Sequence, residues 1–464
     1  MADPQQVVVI GGGISGLACA FRLQQLGSPV TLLEAADSVG GLIGTSTQDG
    51  FLFETGPQSF QGTDAMLDLV RELGIEADLC MADPRAPRYI LRHGQLQKVP
   101  MSPQAIVSSS LLGVGSRWKV VSEAFRKTKP PSEEESVADF VRRKFGHEIL
   151  EYLVAPFVSG VYAGDPEKLS LRAAFPSLEE WEREYGSILR GAMKSRPPKG
   201  TTSGPPRLCS FRGGMATLTR ALATHVGQNV RGGVHADAVT RVQTTSGPRY
   251  EIRMTQGGRQ ETVSARALVL ATPAYTASHL VAQISSPLAA SLSGIAYAAV
   301  AVVASGYYTH QLSAELDGFG VLIPRSEKYH TLGTVWNSSL FPERARDGQF
   351  TITSFAGGVT DPEIMDKTEK EIAAIVQQEN EHILEVTGSP IVSAVWKHPK
   401  ALPQYNLGHG HVVRAIRDAE REIPGLFFSS NYLQGPSIPK CVEQGFQTAH
   451  AVHAHLKGRA LAAS

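Results

Sequence analysis

The order of apolar and polar positions near the N-terminus predicts a strand, a helix and a second strand. Residues 7–10 form a short apolar run that predicts a buried strand. Apolar residues recur at helical spacing from Ile14 to Leu26 and predict a helix, which Gly27 would end. Residues 30–33 then read as a second buried strand. This βαβ order predicts an α/β fold that begins with a nucleotide-binding unit.

The pattern changes twice further along the chain. From about residue 98 to about 200, helical spacing predominates, and Ser132 with Glu135 fits a capping box at one helix start. Residues 196–207 are rich in Pro, Gly and Ser and predict a loop. Strand-like runs return after residue 207 and continue to about 358, and residues 369–388 predict a helix. The tail again reads strand, polar loop and helix, so both chain ends are expected to build one discontinuous nucleotide domain.

Three glycines in the first predicted turn indicate a dinucleotide site. Gly11 allows the tight turn, Gly13 lets a pyrophosphate approach the backbone, and Gly16 lets the helix pack closely on the strand. The N-terminus of the helix offers N–H groups and a partial positive charge to phosphates. Glu34, at the end of the second strand, supplies a carboxylate for ribose hydroxyls. The pair Gly40 and Gly41 follows, an extension that favours FAD over NAD.

Charge and cysteine content exclude several classes of protein. The chain has 44 Lys and Arg against 44 Asp and Glu, so no global field favours nucleic acid. The four cysteines stand far apart, which argues against a zinc site or a disulfide framework. His450, His453 and His455, and also His409 and His411, could suggest a metal site. We favour polar surface histidines, because no carboxylate or thiol completes a ligand set.

Targeting and membrane segments are not expected. The first strand begins almost at once, which leaves no room for a targeting peptide, and we expect a cytoplasmic protein. No apolar run is long enough to span a membrane. Residues 105–129 mix Leu, Val and Trp118 with Arg and Lys, as an interfacial helix does. An amphipathic helix on the protein core is the alternative.

Several stretches beyond the glycine turn resemble the protoporphyrinogen oxidase family, which is related to the amine oxidases and phytoene desaturases. They are ESVADFVRRKFG (135–146), VAPFVSGVYAGDPEKLSLRAAFPSL (154–178), FRGGMATL (211–218), GFGVLIPRSE (318–327), TLGTVWNSSLFP (331–342) and LPQYNLGH (402–409). The resemblance covers nearly the whole chain and implies FAD as the cofactor.

The resemblance implies three domains. The first is a Rossmann-like FAD-binding domain, expected at 1–84, 205–290 and 424–464. The second is a substrate domain around a mixed sheet, expected at 85–97 and 291–423. The third is an inserted helical membrane-binding domain, expected at 98–204. The implied reaction converts protoporphyrinogen IX to protoporphyrin IX in three two-electron steps, with dioxygen as acceptor and hydrogen peroxide as product.

Six residues are implied as substrate contacts. Arg88 matches the arginine that binds a propionate, and a guanidinium can grip a carboxylate through two hydrogen bonds. Gly160 would leave room beside the ring. The apolar contacts would be Phe319, Leu322, Val335 and Phe355, for which plain sheet core is the alternative. No side chain is needed as an acid or base, because the flavin accepts the hydride.

The cofactor contacts implied by the motif and the resemblance come from several segments. Pro436 has no N–H, so Ser437 and Ile438 would supply donors to the flavin, with a helix starting near Lys440 behind them. Gln58 and Ser430 depart from the residues usual at their positions, and Tyr432 lies near the aromatic cage of amine oxidases. The full set is Gly11, Gly13, Ile14, Ser15, Gly16, Glu34, Gly41, Leu42, Gly56, Pro57, Gln58, Ser59, Val239, Ser430, Pro436, Ser437 and Ile438.

Other readings stay open at the level of sequence. Coproporphyrinogen III carries four propionates, so its oxidation would favour more basic residues in the pocket. A flavin amine oxidase and a flavin-bound interaction protein without turnover are further alternatives. Peripheral contact with the cytoplasmic membrane is expected from the resemblance. The segment LEEWEREYG (178–186) is a candidate surface for a homodimer.

Overall fold

The fold is described from a computed structural model, which covers residues 5–101, 103–195, 207–245, 247–313 and 315–462. The strands form two seven-stranded sheets with two small ones, and helices pack around them. The expected α/β class with mixed sheets is therefore confirmed. The loop predicted at 196–207 lies almost wholly outside the described residues.

The first sheet combines both ends of the chain. Its strand order is β10-β2-β1-β13-β12-β11, and β19 also pairs with β13. Strands β10, β2, β1, β13 and β19 run parallel, so their carboxyl ends lie at one edge, where ligands bind in open α/β sheets. The strands are β1 Gln5–Ile10, β2 Val30–Leu33, β10 Val230–Arg231, β11 Val234–Thr244, β12 Gly247–Gln256, β13 Arg259–Leu270 and β19 Leu426–Phe428.

Helices cover both faces of this sheet. On one face α1 packs against α18 and α11, around a core that includes Leu17, Leu218 and Val442. The other face is closed by α12, α13 and α16. These helices are α1 Ile14–Gln25, α2 Asp64–Glu72, α11 Ala216–Val226, α12 Ala274–Val281, α13 Ser286–Ser293, α16 His409–Glu422, α17 Asn431–Gln434 and α18 Ile438–Ala462. Small sheets of β3 Thr45–Gln48 with β4 Phe51–Glu54, and of β5 Phe60–Gly62, β6 Leu79–Met81 and β9 Arg207–Phe211, extend this part.

The second sheet is mixed and has the order β18-β14-β17-β16-β15-β7-β8. One of its faces is covered by α15, whose Ile372 and Val376 pack on Ala301 and Val303. The opposite face is turned toward the site described below. Its strands are β7 Arg88–Arg92, β8 Gln95–Lys98, β14 Tyr297–Tyr308, β15 Gly320–Leu322, β16 Thr331–Val335, β17 Gln349–Gly357 and β18 Val392–Pro403, with α14 Asn337–Leu340 and α15 Glu369–Leu384.

The described residues between β8 and β9 form helices and no strand, as the apolar spacing predicts. They are α3 Pro103–Ser108, α4 Val114–Glu123, α5 Val137–Lys144, α6 His147–Ile149, α7 Ala155–Tyr162, α8 Leu171–Ala174, α9 Pro176–Tyr185 and α10 Ile188–Lys194. A π-helical turn at Leu150–Val154 leads into α7 beside Pro156, a residue that cannot donate an α-helical hydrogen bond. None of the helices in the described part of the chain is both long and apolar enough to cross a membrane.

The capping box expected at Ser132 is wrong. Helix α5 begins at Val137, and Ser136 is its N-cap, accepting a hydrogen bond from the Asp139 amide at 3.0 Å. Glu135 instead forms an ion pair with Arg143. The candidate dimer surface at 178–186 is partly internal. Glu182 of this segment, on α9, is fully buried and pairs with Arg143 and with the buried Lys144.

Candidate functional site

The glycine turn lies between β1 and α1 at the carboxyl edge of the first sheet. Gly11 has a φ of 110°, and a Cβ there would come within 2.7 Å of the Ala271 carbonyl oxygen. A Cβ on Gly16 would overlap the carbonyl oxygen of Gly11, because helix and strand approach so closely. Gly13 differs, since a Cβ there would meet no protein atom within 4 Å. The three glycines therefore have the separate structural roles that a dinucleotide turn requires.

The space beside Gly13 is free of protein atoms, as the predicted pyrophosphate site requires. Gly13 is the N-cap of α1, and no side chain caps this helix. The helix dipole and the N–H groups of its first turn are therefore available to an anion. The buried hydroxyls of Thr272 and Ser429, which follow β13 and β19 at the same edge, have no hydrogen-bond partner in the described structure. These features suit a bound nucleotide cofactor.

The predicted neighbours of the turn come together around it. The Glu34 carboxylate accepts hydrogen bonds from the Gly12 amide at 2.6 Å and the Ala36 amide at 2.8 Å, which fixes it at the end of β2. Its oxygens retain lone pairs for ribose hydroxyls. The Gly40 amide donates to the Gly12 carbonyl at 2.8 Å, and Gly41 lies next to Gly13.

The C-terminal helix also reaches this turn. A Cβ on Gly445 of α18 would lie 2.7 Å from the Ser15 carbonyl oxygen, so α18 crosses α1 in close contact. The helix begins at Ile438, two residues earlier than the start expected near Lys440. Ser437 therefore sits at the helix start, where its carbonyl accepts from the Cys441 amide at 3.0 Å. Burial raises the pKa of Cys441 to about 11, so this thiol stays protonated near neutral pH.

Four of the six predicted substrate residues lie on one face of the second sheet. The strand register aligns residues of neighbouring strands in two rows that run across the sheet. On each strand the members of the two rows are two positions apart, so both rows lie on the same face. Arg88 is the one charged residue among the twelve positions of these rows. The rows are Arg88, Gly320, Val335, Thr353, Ala304 and Ala394, and Ile90, Leu322, Gly333, Phe355, Val302 and Trp396.

The remaining two predicted residues border this face. Gly160 on α7 lies against Leu322, since a Cβ on Gly160 would come within 2.5 Å of the Leu322 Cδ2 atom. Phe319 precedes β15 and places its ring 5.3 Å from the guanidinium carbon of Arg88. Among the described residues, no carboxylate pairs with Arg88. The guanidinium is therefore available to an anionic group at the edge of an apolar surface.

Segment 54–58, which includes the predicted cofactor contacts Gly56, Pro57 and Gln58, borders the same face from the other side. Phe51 and Phe53 of β4 pack with Ala304 and Trp396 of the second sheet. The chain then continues to Gln58, whose Oε1 atom accepts a hydrogen bond of 2.6 Å from the Asn337 Nδ2 atom. The apolar face thus lies between α7 and a segment that leads directly to the predicted cofactor cleft.

Sequence reasoning missed Asn337, because its contact with Gln58 depends on how distant parts of the chain fold together. Its side chain, like those of Arg344 and His398, contacts segment 54–58 from a position that is hundreds of residues away in the chain. The one available signal is that Asn337 falls within TLGTVWNSSLFP, a stretch that carries the family resemblance.

Two sequence interpretations change in the structure. Tyr432 is fully buried in the hydrophobic core, so its ring does not line an open aromatic cage. His409 is buried and bonds the Tyr432 carbonyl through Nε2 at 2.8 Å, and burial lowers its pKa, so it is not a surface histidine. Val239 is buried on β11 after a bulge between Ala236 and Ala238, and its contact with adenine stays a prediction. Among the described residues, no three His, Cys, Asp or Glu side chains gather to hold a metal ion.

The fold and the cleft together define an FAD-dependent oxidoreductase. The chain belongs to the flavin containing amine oxidoreductase family, whose model matches residues 14–453, and within it to the protoporphyrinogen oxidases. It is 35% identical over 471 residues to the chloroplastic protoporphyrinogen oxidase 1 of Spinacia oleracea, covering 96% of this chain and 83% of that protein.

Two further comparisons extend this result. The coproporphyrinogen III oxidase of Bacillus subtilis is 28% identical, with 96% of this chain and 97% of that protein covered. A crystal structure from Exiguobacterium sp. 255-15 superposes with a TM-score of 0.81 at 21% identity and covers 97% of this chain and 99% of that chain. The second likeness supports the fold alone.

Proposed function

We propose that this enzyme oxidises protoporphyrinogen IX to protoporphyrin IX, with dioxygen as the acceptor and hydrogen peroxide as its product. The observation that supports the proposal best is the face of the second sheet, which is apolar apart from Arg88 and Thr353 and carries Arg88 as its one charged residue in the aligned rows. The substrate has matching chemistry, because it is a large apolar macrocycle with its two propionates on one edge. Relatives at up to 35% identity are named for this reaction.

The residues of the site act by binding and orientation. Arg88 would hold a propionate through charge-assisted hydrogen bonds, while Leu322, Val335 and Phe355 pack against the macrocycle. A side chain at Gly160 would collide with Leu322, so the glycine lets α7 lie directly against the apolar face. Together these contacts would fix one meso carbon near the cofactor and keep water away from it.

FAD, when bound, supplies the hydride acceptor and passes the electrons to dioxygen. The predicted cofactor residues would hold it across the carboxyl edge of the first sheet. Gly13, in the turn that Gly11 and Gly16 shape, would receive the pyrophosphate, and Glu34 the ribose. The amides of Ser437 and Ile438 would donate to the pyrimidine end of the flavin, at the N-terminus of the 25-residue α18.

Coproporphyrinogen III is the second candidate substrate, since a relative with 28% identity is named for its oxidation. It carries four propionates, two more than protoporphyrinogen IX. A face whose aligned rows include one guanidinium matches carboxylates on a single edge better than carboxylates on both. We therefore expect a higher kcat/KM for protoporphyrinogen IX.

Substitution Arg88→Ala is expected to raise the KM for protoporphyrinogen IX by about 10- to 100-fold, because a charge-assisted hydrogen bond is lost. The FAD content should not change, since Arg88 lies on the second sheet. Arg85→Ala is the matched control. Arg85 lies three positions before Arg88 in the chain, is exposed and pairs with Asp83. A KM that is equal in wild type and Arg88→Ala would remove Arg88 from the substrate site.

Peripheral membrane contact is proposed for an exposed apolar stripe along α4. The stripe consists of Val114, Trp118 and Val121 on α4 and of Phe125 just beyond the helix end, with exposed fractions from 44% to 84%. The spacing of the first three places them on one side of the helix. Arg126, Lys127 and Lys129 follow it and are exposed as well. Apolar and basic side chains together suit the interface of an anionic bilayer, which would also hold the poorly soluble substrate.

The double substitution Trp118→Ser with Phe125→Ser is expected to weaken binding to anionic phospholipid vesicles by about 10- to 100-fold, because two large apolar side chains no longer leave water. Vesicle co-sedimentation measures the effect. Tyr308→Ser, which removes an aromatic ring that is 46% exposed on the second sheet, serves as the control. Equal binding of the double variant and wild type would show that the α4 stripe does not contact the bilayer.

A further inference from the structure

Residues 54–58 begin at the end of the small hairpin β3–β4 and include the first part of the predicted flavin loop, 56–59. Contacts with the second sheet and its connections hold this segment in place. Phe51, just before it, packs so closely on β14 that a Cβ on Gly306 would come within 2.7 Å of the ring. Gly56 is equally confined from the other side, because a Cβ there would overlap the Leu42 carbonyl oxygen. The segment is therefore enclosed between the cofactor cleft and the apolar face.

Three side chains reach this segment, one from β18 and two from the connection between β16 and β17. Arg344 pairs with the Glu54 carboxylate at 2.9 Å, and the His398 Nε2 atom lies 2.7 Å from the Thr55 carbonyl oxygen. Asn337 donates from Nδ2 to the Gln58 Oε1 atom at 2.6 Å. The first two contacts act on the start of the segment, and Asn337 acts on its far end.

The contact with Asn337 fixes how the Gln58 side chain is turned. The Gln58 Nε2 atom donates to the Gly56 carbonyl oxygen at 2.7 Å, while Oε1 accepts from Asn337. Both side chains are buried, with exposed fractions of 7% for Gln58 and 4% for Asn337. Without the Asn337 donor, the carboxamide could rotate or its oxygen would stay buried without a partner.

Asn337 also lies close in the chain to the apolar face. It begins α14 two residues after Val335, which ends β16 and belongs to the face that contains Arg88. The hydrogen bond between the two carboxamides thus links the connection that follows this face to the predicted flavin loop. A displacement of either carboxamide would change the distance between substrate and cofactor.

We propose that Asn337 is a positioning residue, which acts through Gln58 to set the flavin loop against the apolar substrate face. This inference rests on the proposed function in one respect, namely that residues 56–59 line the flavin. Asn337 is expected to contribute to the rate of flavin reduction and to the environment of the flavin. It is not expected to contribute to the affinity for the porphyrinogen.

The test compares Asn337→Ala, Gln58→Ala and the double variant with wild type. The flavin absorption spectrum, its reduction potential and the anaerobic rate of flavin reduction by protoporphyrinogen IX are measured for each. We expect Asn337→Ala to lower the reduction rate about tenfold, with KM within about twofold of wild type. We also expect a shifted flavin spectrum and no further loss in the double variant, because Asn337 acts through Gln58.

Asn380→Ala is the matched control. Asn380 is buried to 1% exposure on the other side of the second sheet and bonds Ser354, and it does not touch segment 54–58. If Asn380→Ala changed the flavin spectrum and the reduction rate as much as Asn337→Ala does, the effect would be general loosening and the proposal would be wrong. Effects of Asn337→Ala and Gln58→Ala that multiply in the double variant would also overturn it.

Asn337→Asp serves if the alanine variant does not fold, since aspartate keeps the shape and removes the Nδ2 donor. The same changes in spectrum and rate are expected. A wild-type flavin that protoporphyrinogen IX does not reduce would contradict the proposed function, whereas the spectrum and potential would still test Asn337. A wild-type spectrum and potential in Asn337→Asp would overturn the positioning role.

Discussion

Replacement of Gly13 by valine is expected to abolish FAD retention while the protein still folds. A Cβ at Gly13 meets no protein atom within 4 Å, and the residue has φ −70° and ψ 175°, which valine adopts without strain. The isopropyl group would instead occupy the space into which the pyrophosphate fits. The purified variant should be colourless, with a cooperative unfolding transition like that of wild-type apoprotein.

Gly16→Ala provides the contrast, because it affects the same motif in a different way. A Cβ on Gly16 would overlap the Gly11 carbonyl oxygen, so one added methyl group must displace α1 from β1. This variant should lose stability even in the absence of FAD. A yellow Gly13→Val protein with normal FAD content would contradict the placement of the pyrophosphate, whatever happened at Gly16.

Arg344→Ala is expected to lower the free energy of unfolding by about 3–5 kcal/mol, because it leaves a buried charge without its partner. The side chains of Arg344 and Glu54 have exposed fractions of 1% and 0%. The carboxylate also accepts from Thr45 Oγ1 at 2.7 Å and from the Met215 amide, so it cannot move to water without breaking those bonds. Burial raises the pKa of Glu54, and the nearby Arg344 guanidinium acts in the opposite direction.

Thermal and denaturant unfolding of the FAD-loaded enzyme measure this loss. Arg71→Ala is the control, since Arg71 forms an ion pair with Asp68 in which both side chains are more than half exposed, and such pairs contribute about 0–1 kcal/mol. The combination Glu54→Leu with Arg344→Met should be less harmful than Arg344→Ala alone, because no unpaired charge is left. An Arg344→Ala protein as stable as Arg71→Ala would show that the buried pair does not stabilise the fold.

Local patterns predicted much of the fold because the decisive signals are short-range. The run at 7–10, the glycine turn and the helix from Ile14 follow one another without a break, and the structure places β1 and α1 where the spacing predicts them. The helix predicted at 369–388 is α15, which starts at Glu369 and begins with a capping box at Thr368 and Glu371. At α5, by contrast, two serines could serve as N-cap, and the choice between Ser132 and Ser136 depends on packing against β-bridge partners far along the chain.

The candidate site was predictable where residues belong to a motif, and not where they act across the fold. The glycines, Glu34 and Arg88 stand in recognisable stretches of sequence. That Leu322, Val335 and Phe355 share one face with Arg88 follows from strand register, which the sequence does not specify between distant strands. The contacts of Asn337, Arg344 and His398 with segment 54–58 are long-range for the same reason.

Anaerobic mixing of the purified yellow protein with protoporphyrinogen IX tests the central claim most directly. The account predicts that the visible absorbance of the flavin is lost on mixing, and that it returns with formation of hydrogen peroxide when dioxygen is admitted. Amines should leave the absorbance unchanged, and coproporphyrinogen III should reduce the flavin more slowly. A flavin that stays oxidised in the presence of protoporphyrinogen IX would contradict the account.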